Sequence, residues 1–260
     1  MNESETLQVR TDPRGICTLS LNRSERHNAL DADLINALLT ALNRAIEDKA
    51  VRAIILRGNG KGFCTGLDLQ WVHDLLTQAP TGNFADIERF AELLQVLYNC
   101  RKPLIAQVQG PSLGGGLGLI ACCDLVIAAQ SARFGLPELR IGLVPLMIAP
   151  YLIAAIGIRQ FRRLVITGEP INSDEALRIG LVHHVVPETK LAEFGLQQAQ
   201  RLLTAAPNAL ASLKQLTGRL PLDNHDGSAA KDLMDLLQHS VEVREGVSAF
   251  LEKRKPTWWT

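Results

Sequence analysis

The sequence lacks the features of a metal-binding, disulfide-bonded, nucleic-acid-binding or membrane-spanning protein. Its five cysteines are an odd number and contain no Cys-x-x-Cys pair, so we expect neither a disulfide framework nor a zinc site. Lysine plus arginine equals aspartate plus glutamate at 27 each, which leaves no basic excess for a nucleic acid. Its apolar stretches are interrupted well before the roughly 20 residues that a transmembrane helix needs. We therefore expect no metal, no nucleic-acid partner and no membrane span.

The sequence also starts without an apparent targeting segment. Residues 1–5 are polar and acidic, unlike a signal peptide or an arginine-rich transit peptide. We therefore expect a cytoplasmic protein. The chain has 260 residues, of which 47% are hydrophobic and 21% charged, a balance typical of a soluble globular protein. This length suits one large α/β domain with a smaller helical appendage.

Strand and helix patterns alternate through the first two thirds of the chain. Residues 7–21 predict a hairpin, because Asp12-Pro13-Arg14-Gly15 is a turn sequence. Short apolar runs predict buried strands at 51–56, 104–108 and 124–128, and Asp31 is placed to cap the helix that follows it. Further helices are predicted at 87–99, 117–122, 173–180, 189–205, 208–217 and 229–253, with a loop at 221–227. This order favours parallel βαβ units followed by a helical layer.

Two glycine-containing segments each follow a predicted buried strand and lead into a helix. They are residues 61–69 (KGFCTGLDL) and residues 110–118 (GPSLGGGLG). The first N–H groups of a helix have no intrahelical acceptor and can bind a developing oxyanion. Glycine lets the backbone approach a ligand without interference from a Cβ atom. Neither segment has the residues of a phosphate-binding P-loop or a dinucleotide fingerprint, and each alone is equally compatible with a packing role.

A third segment, residues 134–145, contains the carboxylate of Glu138 in apolar surroundings. Loss of water there would raise its pKa toward a range that is useful for acid–base catalysis. The alternative is an ordinary ion pair of Glu138 with Arg140 or Arg133. Sequence spacing does not distinguish the two.

Together, in this order and spacing, the three segments resemble the enoyl-CoA hydratase/isomerase (crotonase) superfamily, and the resemblance covers about residues 6–256. It implies an α/β fold, a crotonase-like spiral of ββα units over residues 1–200 with a C-terminal helical trimerisation region over 201–260. The resemblance also implies that Leu67 and Gly115 supply oxyanion-hole amides and that Glu138 moves the proton. The expected contacts to substrate and coenzyme A come from Arg26, Thr65, Asp68, Leu69 and Gly114. Coenzyme A is part of the acyl-CoA substrate, so no separate cofactor is implied, and the expected assembly is a homo-oligomer, either a trimer or a dimer of trimers.

One position departs from the pattern of the family. Two-carboxylate hydratases have a glutamate in the helix after the glycine-rich turn, where this chain has Gly118. The resemblance therefore implies an enoyl-CoA hydratase, a lyase, with a single glutamate, closest to bacterial hydratases of branched glutaconyl-CoA thioesters. The alternatives are a Δ3,Δ2-enoyl-CoA isomerase and an acyl-CoA-binding protein without activity. Arg140 could meet a distal carboxylate of the substrate or pair with a nearby acid, and His73 could line the acyl pocket or lie on a surface helix.

Overall fold

A six-stranded sheet forms the centre of the fold. The computed structural model describes residues 5–78, 85–217 and 239–259. Within them the strands are β1 (Leu7–Thr11), β2 (Ile16–Leu21), β3 (Ala53–Gly58), β4 (Leu104–Val108), β5 (Pro111–Leu113), β6 (Leu125–Ala129), β7 (Arg133–Gly135), β8 (Ile171–Asn172) and β9 (His184–Val186). The large sheet has the order β1-β2-β3-β4-β6-β9, and all its pairs after the antiparallel β1–β2 hairpin are parallel. The alternation in the sequence is thus confirmed as a mixed α/β architecture.

The predicted hairpin is confirmed, and its turn sets where the next strand begins. Gly15 has a φ of 84°, which glycine adopts without a steric penalty, and its N–H donates to the Asp12 carbonyl at 2.9 Å. Parallel pairing of β3 with β2 starts at Ile16 opposite Ala53. The third strand therefore begins two residues later than the apolar run at 51–56 predicts.

Helices cover the sheet and form much of the rest of the described chain. They are α1 (Ala32–Glu47), α2 (Leu69–Gln78), α3 (Ala85–Tyr98), α4 (Gly115–Ala121), α5 (Ala149–Thr167), α6 (Ser173–Arg178), α7 (Leu191–Leu202), α8 (Pro207–Thr217) and α9 (Val241–Leu251). Asp31 caps α1 as predicted, because its carboxylate accepts the Leu34 N–H at 2.9 Å. Buried leucines at 34, 38 and 42 form one face of α1, as their helical spacing predicts.

A second, three-stranded sheet brings the informative segments together. Its order is β5-β7-β8, with β5 parallel to β7 and β7 antiparallel to β8. Leu113 at the end of β5 lies opposite Gly135 at the end of β7. Because the two strands are parallel, the residues that follow them emerge at the same edge of the sheet.

The C-terminal region is attached to the rest of the chain through backbone carbonyls. The indole N–H groups of Trp258 and Trp259 both donate to the carbonyl of Thr204, at 3.1 and 2.7 Å. The predicted helix at 229–253 is described only over α9 and the residues beside it, and the predicted loop at 221–227 lies outside the described residues. The predicted division at residue 200 falls inside α7, and the separation of a core from a helical region stays a prediction. None of the described helices is both long and apolar enough to cross a membrane.

Candidate active site

Three chain segments meet at one edge of the small sheet. An isolated parallel bridge joins Cys64 to Ser112, and the Leu113 N–H donates to the Cys64 carbonyl at 2.9 Å. On the other side of β5, the Gly114 N–H donates to the Gly135 carbonyl at 3.0 Å. The residues that follow these positions, at 65–67, 114–115 and 136–138, are thereby brought side by side.

Two backbone amides are left available at this junction. Leu30 donates to the Gly66 carbonyl at 2.7 Å and accepts from the Asp68 N–H at 2.8 Å. These bonds fix the backbone on both sides of Leu67. Gly115 is the first residue of α4, so its N–H has no acceptor within the helix. Among the described residues, no acceptor is found for either the Leu67 or the Gly115 N–H.

The two amide-bearing segments are close to each other. A Cβ atom placed on Gly66 would lie 3.1 Å from the Gly115 nitrogen. The first turn of α4 adds the positive end of a helix dipole at the same place. Such an arrangement can stabilise negative charge that develops on a carbonyl oxygen.

Glu138 faces this junction from the third segment. It begins a 3₁₀ helix over Glu138–Ile141, and a Cβ atom placed on Gly114 would lie 2.6 Å from its Oε1 atom. Its Oε2 atom is buried and has no hydrogen-bond partner in the described structure. Burial raises the pKa of the Glu138 carboxyl above its usual value, because the charged form is poorly solvated. This group is therefore suited to accept and return a proton.

The alternative prediction, an ion pair of Glu138 with Arg140 or Arg133, is wrong. The Arg140 guanidinium donates to the Gly168 carbonyl at 3.0 Å, and Arg133 donates to the carbonyls of Ser131 and Ala132. Both arginines thus bind backbone oxygens in place of the carboxylate. The expectation that Arg140 pairs with an acid is also wrong, for the same reason.

A cavity of about 350 Å³ opens at the junction. Six of the predicted site residues line it: Thr65, Leu67, Leu69, Gly114, Gly115 and Glu138. The rest of its lining is Gly66, Val72, Ile87, Phe90, Pro137, Ile141, Leu143, Val144, Pro145, Leu146, Met147 and Ile148. Glu138 is the one charged side chain among these residues, so the cavity combines two free amides, one carboxylate and apolar walls.

Two predicted contact residues lie outside this lining. Asp68 binds Arg23 at 3.2 Å and accepts the Gln70 N–H at 3.1 Å, so its carboxylate serves an ion pair and the start of α2. The predicted substrate contact of Asp68 stays a prediction. Arg26 is exposed on a 3₁₀ helix. The residue after Arg26, His27, accepts the Thr65 N–H at 3.2 Å, which places Arg26 near the rim without bringing it into the cavity.

The side chains of His73 and Cys64 take no part in the site. The His73 side chain is 68% exposed beside Asp74, which agrees with a surface helix. Cys64 is fully buried, and burial raises the pKa of its thiol to about 12, so it is protonated at neutral pH and not a nucleophile. No cluster of three or more histidine, cysteine or acidic side chains that could hold a metal is found in the described chain.

Sequence reasoning missed the wall formed by residues 141–148. The segment reads as an apolar continuation of the Glu138 stretch, and nothing in its spacing indicates a ligand. Val72 of α2 contributes to another part of the cavity lining. A third contribution comes from Phe90 and Ile87 of α3, whose helical periodicity predicts only a packed face.

Comparison with known proteins agrees with this architecture along almost the whole chain. A family model described as "Enoyl-CoA hydratase/isomerase" matches residues 11–260. The 2,3-dehydroadipyl-CoA hydratase of Escherichia coli (strain K12) is 34% identical over 244 residues, which are 93% of this chain and 94% of that protein.

Solved structures show the same fold. An enoyl-CoA hydratase/isomerase from Marinobacter aquaeolei has a TM-score of 0.91 at 32% identity, with 99% of this chain and 100% of that chain covered. Pseudomonas aeruginosa AtuE has a TM-score of 0.90 at 34% identity, with 98% and 100% covered. On its sequence, its fold and the residues at its cavity, this chain belongs to the enoyl-CoA hydratase/isomerase family.

Proposed function

We propose that this protein is an enoyl-CoA hydratase that adds water to an α,β-unsaturated acyl-CoA thioester with Glu138 as its single catalytic carboxylate. In this proposal the amides of Leu67 and Gly115 hold the thioester oxygen. The observation that carries it is the Glu138 side chain, which lines the same cavity as Leu67 and Gly115 and has a buried Oε2 atom without a partner in the described structure. Membership of the family, in which the Escherichia coli relative is named a hydratase, supports the reaction type.

The reaction can proceed with one carboxylate. Water attacks Cβ of the substrate, Glu138 accepts a proton from that water, and the electron pair of the double bond moves onto the thioester as an enolate. The two amides stabilise the negative oxygen, and one such donor is commonly worth about 3 kcal/mol. Protonated Glu138 then delivers the proton to Cα, which completes the hydration and restores the carboxylate.

The position of the missing second carboxylate supports the single-glutamate mechanism. A Cβ atom placed on Gly118 would lie 2.2 Å from Cγ2 of Ile148 and 2.9 Å from its Cβ. Ile148 is buried and lines the cavity. An apolar side chain therefore fills the space that a glutamate at residue 118 would require.

The charges around the cavity bear on the proposed acyl group. A branched glutaconyl thioester, as the resemblance implies, carries a distal carboxylate that needs a cation or several donors. The described lining offers no cation, and Arg140 lies outside this lining, where its Nη2 atom donates to the Gly168 carbonyl. These observations support an uncharged acyl chain over a glutaconyl group.

Coenzyme A would extend from the thioester toward the rim. Thr65, Leu69 and Gly114 line the cavity, and Arg26 is an exposed cation joined to this rim through His27 and Thr65. This placement supports a contact between Arg26 and a phosphate of coenzyme A. Replacing Arg26 by methionine should raise KM for the acyl-CoA and leave kcat nearly unchanged, because the contact is remote from the reacting atoms.

An enoyl-CoA isomerase is the second candidate, and the single carboxylate favours it. One base can move a proton between Cα and Cγ on a thioester held by the same two amides. Separate incubations of a 2-enoyl-CoA and a 3-enoyl-CoA, with products identified by mass, distinguish the two reactions. Only hydration of the 2-enoyl-CoA adds the mass of one water.

The proposed role of Glu138 is tested by the substitution Glu138→Gln. We expect kcat for hydration to fall about 10²- to 10⁴-fold, the usual contribution of general acid–base catalysis, while a saturated acyl-CoA still binds. Glu193→Gln is the matched control, because Glu193 is an exposed carboxylate on α7 that pairs with Lys190. Undiminished turnover in the Glu138 variant would remove this residue from the mechanism.

A further inference from the structure

Arg23 joins two chain segments next to the Leu67 amide. One side-chain nitrogen, Nη2, lies 2.9 Å from Asp31 Oδ2 and 3.2 Å from Asp68 Oδ2. The other, Nη1, donates to the Ala29 carbonyl at 2.5 Å. The Arg23 side chain is only 14% exposed, so these contacts are largely shielded from water.

Both acids use their second oxygen to begin a helix. Asp31 Oδ1 accepts the Leu34 N–H at the start of α1, and Asp68 Oδ1 accepts the Gln70 N–H at the start of α2. The two carboxylates face one nitrogen of Arg23. Without the guanidinium they would repel each other and their segments would tend to separate.

These contacts surround the short ladder that holds Leu67. Leu30 makes both ladder hydrogen bonds, to the Gly66 carbonyl and from the Asp68 N–H. Ala29 and Asp31 are the two chain neighbours of Leu30, and Asp68 directly follows Leu67. Arg23 therefore contacts the chain on both sides of Leu30 and the residue after the candidate oxyanion donor.

Arg23 is itself held in place by a buried amide side chain. The backbone N–H of Arg23 donates to Asn28 Oδ1 at 2.9 Å, and Asn28 Nδ2 donates to the Gly62 carbonyl at 3.0 Å. Asn28 is completely buried. The hydrogen bonds of Arg23 and Asn28 thus connect this region to the loop before residues 65–67.

We propose that Arg23 is a positioning residue that fixes the direction of the Leu67 N–H in the oxyanion hole by joining the segment at Ala29 and Asp31 to Asp68. This inference rests on the proposed function, because it assumes that the Leu67 amide binds a thioester oxygen. Arg23 is outside the cavity lining and acts through the backbone that it braces. A displacement of about 1 Å at a reacting centre can cost about 100-fold in rate.

Two substitutions test the inference. Arg23→Met removes the charge and all the side-chain donors, and we expect kcat to fall up to about 100-fold with KM for 2-butenoyl-CoA near the wild-type value. Arg23→Lys keeps the charge, but one ammonium group cannot reproduce the guanidinium's contacts with all three oxygens. We expect its kcat to lie between those of the wild type and the methionine variant.

A spectroscopic measurement separates positioning from a loss of folding. Butanoyl-CoA labelled with ¹³C at the thioester carbonyl does not react, and its carbonyl stretch should move to lower frequency when two amides bind it. We expect this shift in the wild type, a smaller shift in Arg23→Lys and the smallest in Arg23→Met.

Arg52→Met is the matched control. Arg52 also donates to three carbonyls, those of Leu203, Ala205 and Trp258, but it lies in none of the segments that carry the site. This variant should lose stability while keeping both the shifted carbonyl band and kcat.

The outcomes distinguish this inference from the proposed function. A shifted band in the wild type together with wild-type band and kcat in Arg23→Lys overturns the role of Arg23 alone, even if the methionine variant does not fold. A wild-type protein that neither shifts the band nor consumes an enoyl-CoA overturns both.

Discussion

At the scale of single residues, Glu138 is unusual because its buried oxygen has no partner in the described structure. Most buried polar atoms are hydrogen-bonded, and an exception calls for a functional or structural reason. Arg140 and Arg133 are near in sequence but bind backbone carbonyls. Glu138 therefore keeps a free oxygen and a raised pKa, two properties that suit proton transfer and disfavour the folded state.

The stability of the Glu138→Gln variant should depend on pH. The folded pKa of Glu138 lies above the ordinary value of 4.5, so its ionisation weakens the folded protein as pH rises through the folded pKa. The variant should therefore be more stable than the wild type at pH 7, and the difference should shrink to a constant offset below pH 4.5. Urea unfolding of both proteins across this range measures the effect. A difference in unfolding free energy between the variant and the wild type that does not change with pH would contradict it.

The pH dependence of the hydration rate should report the ionisation of Glu138. Glu138 must be ionised to accept a proton from water, so kcat/KM should rise with pH through its raised pKa and then level off. The pKa that this rise in kcat/KM reports is that of Glu138 in the free enzyme. This assignment would be refuted if the rising part of the profile, measured with a 2-enoyl-CoA whose acyl group carries no charge, remained in a Glu138→Gln variant with residual activity.

At the scale of elements, the turn between β5 and α4 requires a glycine at residue 114. Gly114 has a φ of 50°, and a Cβ atom there would lie 2.6 Å from Glu138 Oε1. Gly114→Ala should therefore displace the carboxylate and lower kcat at least about 10²-fold, the scale expected for a misplaced catalytic group.

Gly157 provides the control for this substitution. It has a φ of 73° in α5 and nothing within 4 Å of a notional Cβ atom. Gly157→Ala should show the backbone strain alone, about 1–3 kcal/mol, with kcat unchanged in the folded fraction. Equal losses of kcat in the two variants would show that strain, and not contact with Glu138, is responsible.

The packing of α4 against the start of α5 makes a second prediction at this scale. Gly118→Ala should cost about 1–3 kcal/mol of unfolding free energy, as overpacking does, because Ile148 fills the space. In an Ile148→Ala background, where Cγ2 is absent, the same substitution should cost much less. A double-mutant cycle from denaturant unfolding measures this coupling, and additive effects would mean that the two residues do not compete for one space.

At the scale of the whole molecule, α9 presents large apolar side chains to solvent. Val241, Phe250 and Leu251 are 77%, 83% and 73% exposed, and exposed apolar groups of this kind often mark a contact surface. We propose that this surface contributes to a homo-oligomer, the assembly that the family resemblance implies. Phe250→Glu should shift the sedimentation coefficient toward that of a monomer, whereas Lys255→Glu, a charge change in the same region, should not.

Much of the local structure was predictable, because it depends on neighbouring residues. The Asp12–Gly15 turn, the Asp31 cap and strand β4 agree with the sequence interpretation. What could not be predicted concerns contacts between distant segments, among them the partner of Arg140, which was wrongly expected to be an acid. Asp68 reaches Arg23, 45 positions away, and Arg140 reaches Gly168, 28 positions away, and no periodicity encodes such distances.

The sequence by itself determined where backbone amides can be free and where a carboxylate follows a strand, because glycine, helix starts and apolar runs act locally. Only the tertiary structure decided that β5 and β7 run side by side, which brings the Glu138 carboxylate next to Gly114. It also decided that Ile148 fills the space beside Gly118. The reason is physical: loss of water and contact between side chains depend on which distant segments pack together. A pattern along one segment does not contain that information.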